Sequence, residues 1–230
     1  DKPWTPSYKK EIADSRIESG KLLVHYLKTR SHKISNVVTA SAIGWYGADV
    51  PGQRPFVETD AADKGFLGET CRGWEESISG AAQMGLRLVI CRIGIILAKE
   101  GGALPEFLKP LRFRVAGIIG HGRQMVSWIH IADLVDIFYR AVNHNSMQGI
   151  YNAVAPYPVS NRKLNMALGK AKYGKGFLPL PVPARALSML LGERSIEIMK
   201  STHVSCEKLI ATGYRFQFPS IEMAAEDLVA

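Results

Sequence analysis

The chain has 230 residues, is 47% hydrophobic and 22% charged, and carries 29 Lys plus Arg against 21 Asp plus Glu, a formal charge of +8. That composition suits one globular unit, or one with an appendage, and no apolar run reaches the roughly 18 residues that a membrane-spanning helix needs. Basic residues fall in short scattered groups such as Lys9-Lys10 and Arg112-Phe113-Arg114, a solvated surface and a poor nucleic-acid footprint.

Taken in chain order, residues 7–30 predict a helix, with Ile12, Ile17, Leu22, Leu23, Tyr26 and Leu27 at mostly helical spacing and cations towards its end. Asn36 to Ala40 predicts a strand that is too apolar to have one wet face, as in a parallel sheet. A Pro/Gly-rich loop from Val50 to Pro55 follows, then a helix over 68–84 and a second buried strand from Leu86 to Cys91. Helices are expected at 131–143 and 161–171, the latter capped by Ser160, with a short strand from Ile150 to Val154 between them. This alternation argues for an α/β fold whose strands are joined by crossover helices.

Beyond about residue 172 the character changes. The run from Phe177 to Pro183 holds three prolines and cannot be a regular central strand. Short helical patterns near 184–191 and 206–212 follow, the second closed by Gly213, and Ser220 is a cap for a last helix through Leu228. The expected division is 1–171 for a partial sheet domain and 172–230 for a small, mostly helical cap.

Cys71, Cys91 and Cys206 are odd in number and lack CxxC spacing, so they read as reduced thiols and the expected location is cytoplasmic. The six histidines are dispersed, and no metal is expected.

Ser41-Ala42-Ile43-Gly44-Trp45-Tyr46-Gly47, directly after the first strand, is the most informative segment. Small residues at a strand end let a flat ligand approach the backbone. With Ser15-Arg16-Ile17, Phe66-Leu67, Cys71, Trp74-Glu75-Glu76, the run Arg92 to Leu97, Trp128 to Asp133, Tyr151 to Pro156 and Gly213 to Pro219, it carries a resemblance along essentially the whole chain. The chain resembles the extended short-chain dehydrogenase/reductases, and more narrowly their atypical branch of epimerase family proteins, related to nucleotide-sugar epimerases. The resemblance implies a Rossmann-like parallel sheet, NADP or NAD as cofactor, and an unidentified small-molecule substrate. A homodimer is one possible assembly; neither nucleic acid nor membrane is an expected partner. Nothing in the chain matches GxGxxG, so the expectation is that the Gly-rich amino-terminal half is absent from it.

Hydride-transferring members of that superfamily hold the substrate oxygen with a Ser or Thr. They pass the proton through a Tyr whose pKa is lowered by a Lys four residues later. By resemblance the Ser/Thr position falls on Ser41 if the Ser-Ala pair is matched, or on Ala42 if one counts back from Tyr46-Gly47; Ser41 is preferred. The Tyr position falls on Leu67 and the Lys position on Cys71, neither of which can do the usual work, so no catalytic residue is assigned. Residues matching Glu11 and Arg16 approach the dinucleotide, Arg16 as an anion or ribose contact, with a helix-surface ion network as the equal alternative. After the strand ending near Arg92, also a cofactor position, the backbone of Ile95 and Ile96 would face the nicotinamide carboxamide. Gly120 to Gln124 is expected as a loop over the substrate cleft with Trp128 beneath it. His130 and Asp133 are expected to serve the start of a helix. The resulting expectation is an NAD(P)-binding epimerase- or dehydratase-like oxidoreductase with a non-standard active site. Its rival is a non-catalytic NADP(H)-binding regulator or scaffold, of the kind some relatives linked to cell division suggest.

Overall fold

The computed structural model describes residues 3–50, 52–183, 189 and 192–229. It opens with helix α1 (Pro6–Thr29), started by Pro6 in the first turn and by Thr5, whose side chain accepts a hydrogen bond from Tyr8 N–H at 3.2 Å. Strand β1 (Asn36–Ala42) follows and leads through a single 3₁₀ turn (Ile43–Trp45) into a loop. Helices α2 (Phe66–Ile78) and α3 (Gly80–Gln83) then return the chain to β2 (Arg87–Ile93). The single helix expected over 68–84 is thus two, divided at Ser79. β1 pairs with β2 in parallel, Val38 opposite Val89, and β2 pairs in parallel with β8 (Gly149–Ala153).

Alternation along these strands sends side chains to opposite layers. Val37, Leu88 and Ile90 join Leu27, Ile78 and Ala81 beneath α1, α2 and α3. Val89, Cys91, Tyr151 and Ala153 join Leu134, Ile137 and Ala141 of α5 (Ile131–Asn143) on the other face. Helices α1 and α2 run in the same direction in close contact. A Cβ on Gly20 would meet Ser77, one on Gly73 would meet Ile17 at 2.8 Å, and one on Gly80 would meet Val24 at 2.7 Å. Among the apolar positions of α1, Leu27 is buried, whereas Leu22, Leu23 and Tyr26 lie on its exposed face.

A second lobe combines strands and a helix that sequence periodicity left unassigned with two helices that it predicted. β3 (Ile95–Ala98) lies between β4 (Gly101–Gly102) and β7 (Trp128–His130). After α4 (Leu104–Leu111), β5 (Val115–Ile119) pairs with β10 (Leu178–Val182), and β6 (Met125–Val126) pairs with β9 (Val159–Ser160). Helix α6 (Asn161–Tyr173) is capped by Ser160, as expected, and packs on α9 (Ile221–Val229). One core joins Leu104, Leu111, Trp128, Leu164 and Leu168 to Ile221, Ala225 and Leu228, so residues from both sides of the expected boundary at 171 share it. β10 is an edge strand, which accommodates Pro179 and Pro181. Leu178 N–H donates to the Arg114 carbonyl on β5's side, so the prolines between direct their missing donors outward. The remaining helices are α7 (Arg194–Met199) and α8 (Glu207–Ile210), with Gly213 at φ +83° after the latter. The helical pattern expected near 184–191 falls, apart from Met189, outside the described residues.

Candidate functional site

In an open parallel sheet, ligands bind in the crevice beyond the carboxyl ends of the strands. Here that end is formed by Ser41 and Ala42 of β1, Arg92 and Ile93 of β2, and Asn152 and Ala153 of β8. Ser41 lies opposite Arg92 and Arg92 opposite Asn152, so three polar residues form one row across the sheet on its α2 face. A charge buried in such a row needs a partner. Glu75 of α2 supplies it: Arg92 Nε donates to Glu75 Oε1 and Nη2 to Oε2, both at 2.9 Å, with the two side chains 1% and 7% exposed. Ser41 O–H donates to Glu75 Oε1 at 2.6 Å. Arg92 Nη1 donates to Tyr46 Oη at 3.0 Å and to the Glu58 carbonyl at 3.1 Å. Tyr46 O–H donates to Asn152 Oδ1 at 2.7 Å, and Asn152 N–H donates to Glu58 Oε1 at 2.9 Å. The guanidinium also lies 3.6 Å from the Trp45 ring centroid.

Two of the expected cofactor positions, Ser41 and Arg92, belong to this network. The side chains of Ser41 and Arg92 are turned into the protein, and the hydroxyl of Ser41 is held by a carboxylate, not by backbone. Tyr46 is buried, stacked on Phe56 at 5.1 Å, and burial raises its pKa against the pull of Arg92. It is a structural hydroxyl. Glu75, Glu58 and Asn152 were not singled out from sequence as members of a site.

Outside the network, Leu67 and Cys71 do come together at the strand end. A Cβ on Gly44 would stand 3.2 Å from Leu67 Cβ and 3.7 Å from Cys71 Sγ, so these side chains pack directly on the 3₁₀ turn. The Cys71 S–H donates to the Ala42 carbonyl at 3.6 Å. Burial, reinforced by the Glu75 carboxylate, pushes this thiol up to about 11. Arg16, across from Cys71 on α1, gives one donor to the Ile12 carbonyl at 2.9 Å and lies 5.3 Å from the Trp74 ring centroid. Glu11 is exposed on α1 and joins none of these contacts among the described residues. Ile95 N–H donates to the Ser127 carbonyl at 2.9 Å and the Ile96 carbonyl accepts from Ala103 N–H at 2.9 Å, so both backbones are knitted into β3's neighbours.

The rim of the crevice comes from the amino-terminal ends of α1 and α2 and from the chain after residue 192. Trp4 meets Phe66 edge-on at 5.2 Å, and Lys9 lies over Phe66 and pairs with Glu193. Lys200 Nζ donates to the Tyr46 carbonyl at 3.1 Å and pairs with Glu197 at 2.7 Å. The Gly120–Gln124 turn is held by Gly122, whose φ of +68° and Cβ position, 2.4 Å from Ile118 Cγ2, admit only glycine. Trp128 is fully buried and donates to the Tyr157 carbonyl at 3.2 Å.

His130 and Asp133 act at the start of α5. His130 Nδ1 accepts from Ala132 N–H at 3.1 Å, and its Nε2 lies 3.3 Å from Asp227 Oδ2, off the line of a good hydrogen bond. Asp133, fully buried, accepts from Gln217 N–H at 2.7 Å, Phe218 N–H at 3.0 Å and Tyr214 O–H at 3.2 Å. It clamps the carboxyl-terminal segment, a larger task than the helix-dipole role expected.

An open groove of about 480 Å³ lined by Ile131, Ala132, Val135, Asp136, Tyr139 and Gln217 lies on α5, away from the strand ends. Among the described residues, no group of three or more His, Cys, Asp or Glu is placed to hold a metal ion, and no helix is long and apolar enough to cross a membrane.

Comparison with known proteins places these features in a family. Residues 182–228 match a family model described as a domain of unknown function, DUF1731. The chain is 34% identical over 228 residues to the epimerase family protein YfhF of Bacillus subtilis, covering 99% of this chain and 74% of that protein. The crystal structure of human epimerase family protein SDR39U1 (isoform 2) with NADPH superposes with a TM-score of 0.89 at 27% identity, over 99% of this chain and 76% of that one. A nucleoside-diphosphate sugar epimerase from Corynebacterium glutamicum gives 0.77 at 30% identity, over 99% of this chain and 44% of the other. The sheet and its flanking helices are those of the Rossmann-like epimerases, and the chain belongs to the epimerase family proteins.

Proposed function

We propose that this protein binds NADP or NAD with the nicotinamide end in the crevice above Ala42 and Ile93, and that it is an epimerase- or dehydratase-like oxidoreductase lacking the usual proton relay. The observation that carries this reading is the packing of Leu67 and Cys71 on Gly44 at the parallel strand ends. The residues fit such a group. Ala42 ends β1 with a small side chain that leaves room for a flat ring, and Arg16 commits one guanidinium donor to Ile12, keeping others for a ribose or phosphate oxygen. The human relative was crystallised with NADPH.

A bound nicotinamide dinucleotide supplies a hydride acceptor or donor. The protein's own residues must orient the substrate alcohol or carbonyl and control the proton on its oxygen. Leu67 has no proton to give, and a thiol held near 11 is almost wholly protonated at neutral pH and poorly matched to the task. Ser41 is committed to Glu75 and Tyr46 to Asn152. Proton transfer in this crevice therefore falls to solvent or to a group on the substrate, a small polar molecule of unassigned identity.

The test is NADPH fluorescence titration of the purified protein, followed by incubation with sugar nucleotides and simple carbonyls. Saturable binding with turnover of one of them is expected. Absence of saturable binding of both cofactors refutes the reading. A second reading, an NADP(H)-binding regulator without turnover, is favoured by the same high thiol pKa of Cys71. Tight cofactor binding, no turnover, and an NADPH-dependent partner in a pulldown would select it.

A further inference from the structure

The short group Arg112-Phe113-Arg114 is not used by the crevice, and its surroundings are unusual. It forms the turn between α4 and β5, where Phe113 stands 81% exposed, the ring directed away from any core. Arg114 has φ +59°, the one non-glycine residue in the left-handed region among the described residues. The carboxyl end of α6 lies alongside. Arg114 Cζ is 5.2 Å and Lys172 Nζ 6.0 Å from the Tyr173 ring centroid, and Arg114 Nη1 donates to the Gly176 carbonyl at 3.4 Å. Lys175 is exposed within the same turn. Leu178, in register with Val115 of β5, is 58% exposed, and Leu180 beyond it is 42% exposed.

Arg112, Arg114, Lys172 and Lys175 have no acidic partner among the described residues, and Glu106 of α4 is already paired with Lys109. Four unneutralised cations thus share the two adjoining turns with an exposed aromatic ring, and two exposed leucines follow on β10. We propose that this patch docks the protein on an anionic phospholipid surface, with Phe113, Leu178 and Leu180 entering the headgroup boundary and the four cations meeting lipid phosphates and carboxylates. Phosphate attraction alone would equally suit a nucleic acid. The aliphatic side chains decide between them, because Leu178 and Leu180 offer nothing to a base or a phosphate but gain by leaving water at an acyl boundary. This is a contact with a membrane surface, not a span, and it departs from the expectation that no membrane is a partner.

The test is sedimentation of the whole protein with vesicles of phosphatidylcholine alone, or with a third of the lipid replaced by phosphatidylserine, at low and high salt. Binding that requires phosphatidylserine and falls with salt is expected. Each cation near such a surface is worth about a five-fold change in partitioning, so the double reversal R114E/K172E lowers it by at least about 25-fold. Phe113→Ser weakens it further at fixed charge, and Arg114→Lys retains it. R112E/K175E, on exposed positions, provides the same reading if the first pair fails to fold. Equal sedimentation with both vesicle types, none with either, or wild-type partitioning by a folded double reversal overturns the proposal. Capture of single-stranded RNA through these cations while vesicles are ignored also overturns it.

Discussion

Replacing Glu75 by Leu strips Arg92 of the carboxylate that takes its Nε and Nη2 at 2.9 Å, and leaves the Ser41 hydroxyl without its acceptor. Both charged side chains are almost fully buried, so the stranded guanidinium cannot recover its hydration. Breaking a buried pair by removing one member costs about 3–5 kcal/mol, whereas replacing both by apolar groups is often neutral. At roughly 2–4 °C per kcal/mol for a chain of this size, Glu75→Leu should lower the melting temperature by about 6–20 °C. Arg92→Met should cost a similar amount, with loss of the contact to the Trp45 ring included. The double variant should be no less stable than either single, a coupling of about 3 kcal/mol or more. Urea unfolding followed by circular dichroism supplies the four stabilities of the cycle. A Glu75→Leu loss below about 1 kcal/mol, or a double variant equal to the sum of the singles, would refute the claim that this row is a closed, interdependent network.

Asp133→Ala should free the carboxyl-terminal segment, since Gln217 N–H, Phe218 N–H and Tyr214 O–H lose a shared charged acceptor. A loss of about 2–4 kcal/mol and new proteolytic cleavage after residue 210 are expected. Burial holds the His130 imidazole below its ordinary value, Asp227 opposing, so the unfolded chain binds the extra proton. Its contribution is complete above about pH 6.5 and is lost as pH falls through the folded-state value. The urea midpoint of His130→Asn should therefore decline less between pH 7 and pH 5 than that of the wild type. Cys71, Cys91 and Cys206 are held at about 11, 12 and 11 by burial. Ellman's reagent at pH 8 should react slowly with all of them in the native protein and quickly in denaturant; rapid native labelling of Cys71 would contradict its burial.

The sequence made the sheet legible because β1 and β2 are continuous apolar runs, and because their alternation divides Val37 and Val38 between two layers. The helices that start at Ile131 and Asn161 were legible for the same reason, each with a cap and a buried stripe, whereas α1 buries only Gly20 and Leu27. The second lobe was not. β3 to β7 are short, and α4 carries Pro105 at its start and Pro110 inside, so neither period develops. At the site, resemblance pointed to the strand end that holds Ser41 and Arg92 as cofactor positions, and the structure turns both side chains inward to Glu75. The inward reading was available in principle: Leu88, Ile90 and Arg92 share one strand face, and Cys71, Glu75 and Ile78 share one helix face, which brings Arg92 to Glu75. What the sequence could not supply was that these two faces meet, since that depends on how α2 crosses the sheet.

The central claim is that a nicotinamide cofactor is met at the carboxyl ends of β1 and β2. Hydrogen–deuterium exchange of the protein with and without saturating NADPH, and with and without NAD, tests it directly. Protection concentrated in residues 41–47 and 92–96, with Leu67 and Cys71 following on α2, is the predicted result. Saturable cofactor binding that leaves those segments exchanging unchanged, and protects the α5 groove around Tyr139 instead, would contradict it.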